Sequence, residues 1–264
     1  MKTQVKPYYL FLSLMNFFTL STADSSSFDI IIELINRTSF DDNYISLEEL
    51  SNNSHVSQAT ISRFVRILGF DNYNDFNLNF YKALAVSQQV RNNEYMNCGL
   101  EELINERYNH ALNNIVSTKN SLDIDILTQI IKEIKEAKNT IFFGTPENIS
   151  HFTRFKSDLI VNHCPCFFFY DGYSQAELLK LNLDRSVAIF VVLSNDHLVL
   201  YHERIQKLKT QNTTLILFTQ DNTDEQKANF DYVYVYGESN SYRLGDYSIE
   251  FLATVLSCIF VKSL

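Results

Sequence analysis

Apolar residues recur along the first eighty positions at the three- and four-residue intervals of helices, and beyond position 140 they gather into short unbroken runs. Phe28, Ile31, Ile32 and Ile35 follow the i, i+3, i+4, i+7 pattern and predict a helix over 28–36, after an apolar stretch at 8–19 that predicts a first amphipathic helix. Ser-Leu-Glu-Glu at 46–49 spells a capping box, in which Ser46 accepts from the Glu49 amide while Glu49 reaches back; a short helix to about Asn53 follows. A turn over 52–55, Ser57 as the next N-cap and Gly69 as a left-handed stop frame another helix. One side of it carries Ile61, Phe64, Val65 and Leu68, the other Ala59, Ser62, Arg63 and Arg66. Two short helices joined by a tight turn make a helix-turn-helix, whose second helix is anchored by its apolar side and offers its polar side to a DNA groove. The candidate DNA contacts are Ser57, Gln58, Ala59, Thr60, Ser62, Arg63 and Arg66. Arg63 leads them, and a phosphate or a guanine edge suits it equally.

From about 74 to 118 the pattern stays helical and polar, with asparagine-rich patches. The runs TIFFG, CFFFY, VAIFVVL, TLILF and YVYVY then alternate with helical stretches, as the strands of a parallel sheet covered on both faces do. A helix near 245–262 closes the chain. The fold class expected is α + α/β: an all-helical helix-turn-helix domain at 1–80, a helical linker at 81–120, and an α/β sandwich with a five-stranded parallel sheet at 121–264.

Charge narrows the use of the first domain. The chain of 264 residues carries a formal charge of −9, of which −3 falls on residues 1–90 and −6 on the remainder. Neither part is basic, which excludes a broad electrostatic binder of nucleic acid or anionic membrane; DNA contact must come from a few placed cations. Four cysteines are too few for a disulfide scaffold and suit a reduced, cytoplasmic protein. His-Cys-Pro-Cys at 163–166 lacks a second ligand pair at zinc-like spacing, so neither metal nor cofactor is expected. Lys2 and Lys6 before the apolar run, with Ser-Thr-Ala at 21–23, also fit a secretory leader, a reading set below the amphipathic helix because Ser13 and Asn16 interrupt the run. No segment is long and apolar enough to span a bilayer, and no membrane partner is expected.

The stretch VSQATISRFVRILGFDNYNDF resembles the N-terminal signature of the RpiR-type bacterial transcriptional regulators. The resemblance rests on Ser57, Thr60, Ile61, Arg63, Phe64, Leu68, Gly69, Phe70, Tyr73 and Phe76; His55 stands where a small turn residue is common. LDIDILTQIIKEIKEAKNTIFFG is similar to the entry of the sugar isomerase (SIS) domain that follows in that family. The resemblance implies a regulator of carbohydrate metabolism genes that binds a double-stranded operator as a homodimer or homotetramer and senses a sugar phosphate or other carbohydrate derivative.

The sensing loops depart from the family pattern. Gly-x-Gly-x-Ser is here Gly-Thr-Pro-Glu-Asn from Gly144, and Ser-x-Ser-Gly-x-Thr keeps Ser194 alone, with Asp196 and His197 at the inner serine and glycine. Pro146 removes an amide from a phosphate cradle, and Glu147 and Asp196 add charge that repels a dianion by roughly 4 kcal/mol at 4 Å in an effective dielectric near 20. Gly144, Thr145, Asn148, Ser194 and Asn195 are the effector candidates, at the C-terminal ends of adjacent strands. No catalytic residue is expected: Ser194, Asp196 and His197 crowd into four positions without a nucleophile turn. The alternative is a SIS-fold sugar-phosphate-binding protein or isomerase without a regulatory role.

Overall fold

The computed structural model describes residues 25–38, 44–67, 70–82, 99–170, 183–192, 198, 201–221, 228–237 and 245–264. The helix expected over 8–19, its rival leader reading and the stop at Gly69 lie outside them. The chain divides into two compact units, Met1–Gly99 and Leu100–Leu264.

The described residues of the first unit form α1 (Ser25–Thr38), α2 (Leu47–Ser54), α3 (Gln58–Ile67) and α4 (73–82). The capping box opens α2 as expected, the Glu49 amide donating to Ser46 Oγ at 3.1 Å and the Ser46 amide to a Glu49 carboxylate oxygen at 2.9 Å. Ile30, Ile31 and Leu34 of α1 meet Leu50 of α2, Ile61, Phe64 and Val65 of α3, and Phe76 and Phe80 of α4 in one buried cluster. The aromatic segment of α4 ties this core to the chain before α2. Tyr73 Oη donates to the Ile45 carbonyl at 2.8 Å and Asn77 Nδ2 to the same oxygen at 2.9 Å, so both lone pairs are used.

The second unit runs α5 (Leu100–Asn120), α6 (Ile124–Glu136), β1 (Thr140–Gly144), α7 (Pro146–Ser150), α8 (Thr153–Val161), β2 (Cys166–Tyr170), β3 (Ser186–Val192), α9 (His202–Lys209), β4 (Thr213–Thr219), β5 (Tyr232–Val235) and α10 (Gly245–Lys262). All five strands are parallel, in the order β2-β1-β3-β4-β5. Their side chains alternate between two cores, the period of two that a strand imposes. Phe142, Ile189 and Ile216 pack with Leu127 and Ile130 of α6, Phe155 of α8 and Leu252 of α10. Ile141, Phe143, Phe190 and Leu217 turn to the other face, under Ile205 and Leu208 of α9. Strands buried on both faces are the reason these runs are continuously apolar.

Asp123 caps α6, accepting from the Ile126 amide at 3.0 Å, while its own amide donates to Tyr234 Oη at 3.2 Å. Helix α5, which the sequence reading puts in a linker, belongs by its contacts to the second unit: Ser248 Oγ of α10 donates to the Asn114 carbonyl at 3.3 Å, and Leu103, Asn114 and Thr118 are buried. No helix among the described residues is long and apolar enough to cross a membrane.

Candidate nucleic-acid interface and effector loops

The link between α2 and α3 is built by backbone geometry and one apolar anchor. His55 takes the left-handed conformation, φ 55° and ψ 26°, and its amide donates back to the Ser51 carbonyl. The Val56 amide donates to that carbonyl too, at 3.2 Å, while Ser51 Oγ donates to the Val56 carbonyl at 2.7 Å and the Val56 side chain is buried. The helix therefore continues to Ser54, and the turn falls at 55–57, later than the 52–55 expected from sequence. Sequence reasoning misses Ser51 and Val56 as positioning residues; the signal is a lone apolar residue between His55 and Ser57.

Ser57 then caps α3, its Oγ accepting from the Thr60 amide at 3.2 Å and sharing a 2.9 Å hydrogen bond with Thr60 Oγ1. The cap uses Ser57 and Thr60 locally. Ser57, Gln58, Ala59, Arg63 and Arg66 are exposed, while Thr60 and Ser62 are half-buried. On the opposite side Ile61 and Val65 are completely buried and Phe64 almost so. All seven DNA-contact candidates thus lie on one short helix or its cap, and burial of the other side fixes the azimuth at which the two guanidinium groups leave the unit.

The effector candidates divide differently. Ser194 and Asn195, with Asp196 and His197 of the same loop, lie outside the described residues. Gly144 ends β1 beside Val191 of β3, and a Cβ there would meet Ile149 Cγ2 and the Val191 carbonyl oxygen, each at 2.9 Å. Close approach of α7 and β3 explains this glycine without a ligand. Thr145 caps α7, its Oγ1 accepting from the Asn148 amide at 3.3 Å; Asn148 Nδ2 donates to the Val191 carbonyl at 3.4 Å, and both residues are buried. In the described half of the loop pair, the side chains of Thr145 and Asn148 are therefore engaged by the protein itself.

In the His-Cys-Pro-Cys stretch, His163 turns the chain at φ 61° and Cys166 opens β2, where burial pushes its thiol up to about 12. Among the described residues no three His, Cys, Asp or Glu side chains gather as a metal site would require.

Residues 21–87 match the family described as helix-turn-helix domain, rpiR family. Two curated relatives, both HTH-type transcriptional regulators, align over 104 residues: one from Haemophilus influenzae at 29% identity, covering 38% of this chain and 36% of the relative, and CPE0189 from Clostridium perfringens at 25%, covering 38% and 37%. The match spans little more than a third of each relative. Among solved structures, the Vibrio vulnificus NanR protein complexed with ManNAc-6P is similar over 96% of this chain and 92% of that one, with a TM-score of 0.50 and 15% identity. The sugar isomerase domain of an RpiR transcription factor from Sphaerobacter thermophilus covers 61% of this chain and 91% of its own, with a TM-score of 0.51 and 13% identity. Such identities speak for the fold alone. Residues 21–87 thus match a helix-turn-helix domain of the rpiR family, and the α/β unit that follows shares the fold of a sugar isomerase domain.

Proposed function

We propose that this protein is a cytoplasmic, non-enzymatic transcriptional regulator that reads a double-stranded operator with α3, as a dimer or tetramer, and controls genes of carbohydrate metabolism. The observation that carries the reading is the two-sidedness of α3: Arg63 and Arg66 are exposed, while Ile61, Phe64 and Val65 behind them are sealed in the core. A net-negative chain gains little nonspecific attraction for DNA, so two placed guanidinium groups matter more. In a dimer two such helices address half-sites about one helical turn, roughly 34–36 Å, apart.

The test is selection of bound fragments from the host genome, followed by titration of the enriched fragment at several salt concentrations. Arg63→Ala is expected to weaken binding without unfolding the chain. If Arg63 holds a phosphate, a dimer of the variant loses two such contacts, and the slope of log K against log salt falls by about 2. Equal affinity and slope in variant and wild type would refute the assignment.

For the α/β domain, we propose that an effector engages the C-terminal ends of β1 and β3 without a family-type phosphate cradle. The hydroxyl of Thr145 and the amide of Asn148 are already committed. The NanR neighbour was solved with ManNAc-6P, which makes ManNAc-6P and ManNAc the natural pair for a thermal-shift comparison. Stabilisation by the phosphorylated sugar alone would overturn the proposal.

A further inference from the structure

Helix α5 has one side covered by its own domain and an apolar row that the domain leaves uncovered. Leu103, Asn114 and Thr118 are buried on the side that meets α10. Turned away from them, Ile104, Tyr108, Leu112 and Val116 are exposed, with 58, 65, 45 and 45% of their surface in solvent. A row of large apolar side chains in water is what a docking surface shows and an ordinary solvated helix face does not.

We propose that this row is a dimer seam, covered by α5 of a second copy running antiparallel. The row begins at Glu101 and ends at Lys119, both exposed. Along Glu101, Ile104, Tyr108, Leu112, Val116 and Lys119 the intervals are three, four, four, four and three, the same in either direction. A two-fold axis at the level of residue 110 therefore sets Ile104 opposite Val116, Tyr108 opposite Leu112, and Glu101 opposite Lys119 of the other copy. Glu101 and Lys119 are about five turns apart and so share one line along the helix, roughly 27 Å in length. The row stays within a stripe about 120° wide, which a neighbouring helix can cover.

Charge selects the antiparallel arrangement. The first turn of α5 carries Glu101 and Glu102 and the last turn Lys119. Antiparallel pairing brings unlike ends together twice and aligns the helix dipoles favourably; parallel pairing opposes Glu101 to Glu101 and Lys119 to Lys119. A surface complementary to itself under a two-fold axis is the requirement for a closed dimer.

The inference deepens the proposed function, which calls for two recognition helices, yet it is tested without DNA. Sedimentation equilibrium of the full chain is expected to give a dimer or a multiple of it, against 30.7 kDa for one copy. Leu112→Glu is expected to halve the wild-type mass with unchanged far-ultraviolet circular dichroism, because the side chain is exposed within the single copy. Glu101→Lys and Lys119→Glu should each weaken association roughly tenfold, and the double variant should recover it, since unlike charges then face each other again with their signs exchanged. A wild-type monomer at tens of micromolar, an unchanged mass for Leu112→Glu, or a double variant weaker than either single one would overturn the seam. None of these outcomes bears on whether α3 binds an operator.

Discussion

Replacing Gly144 by alanine separates two reasons for the glycine at the head of the effector loop. The new methyl carbon would lie 2.9 Å from Ile149 Cγ2 and 2.9 Å from the Val191 carbonyl oxygen. Non-bonded carbon contacts settle near 3.5–4.0 Å, so Ile149 must retreat by about half an ångström or more, and the backbone carbonyl must shift as well. Ile149 is completely buried and belongs to the larger core, and Val191 is the ladder partner of Gly144 itself. Retreat therefore means splaying β1 from β3 or lifting α7, and it strains the Asn148 hydrogen bond to the same carbonyl. Overpacking of this kind costs about 1–3 kcal/mol. In a domain of this size each kcal/mol lowers the melting temperature by roughly 2–4 °C, giving a fall of about 2–12 °C. Scanning calorimetry of the full chain without ligand reads it, since the transition of the α/β unit should move and that of the helical unit should not. An unmoved transition would refute the packing account and return the glycine to a ligand that approaches it from outside.

The turn offers the opposite change: His55→Gly should raise the stability of the helical unit by roughly 0.5 kcal/mol, because a left-handed L-residue costs about 1–2 kcal/mol and the greater freedom of unfolded glycine returns part of it; a lower urea midpoint would refute this. Burial, with Tyr81 and Glu49 adding repulsion, raises the Tyr73 phenol above its usual range. Ionisation then favours the unfolded chain, so its contribution is intact below about pH 10 and is lost as pH rises toward the folded-state value. Tyr73→Phe should lose about 1 kcal/mol at pH 8, since Asn77 still serves the Ile45 carbonyl, and should flatten the alkaline decline. Equal slopes for wild type and variant between pH 9 and 11 would contradict it.

Sequence by itself determined the pieces whose causes lie within a few residues. Ser46 and Glu49 cap one another across three positions, the spacing of Ile61, Phe64 and Val65 chooses the buried side of α3, and five apolar runs became five parallel strands because each run matches strand length. Tertiary structure decided what depends on residues far apart in the chain. Nothing local says that Gly144 must clear the Val191 carbonyl, or that the Asn148 amide turns to that same oxygen rather than toward a ligand. The turn moved to 55–57 because Val56 found a place in a core assembled from four helices. Helix α5 is the clearest case: its polar, asparagine-rich pattern suggests a linker, and only the arrival of α10, more than a hundred residues later, covers Leu103, Asn114 and Thr118 and leaves the row from Ile104 to Val116 in water.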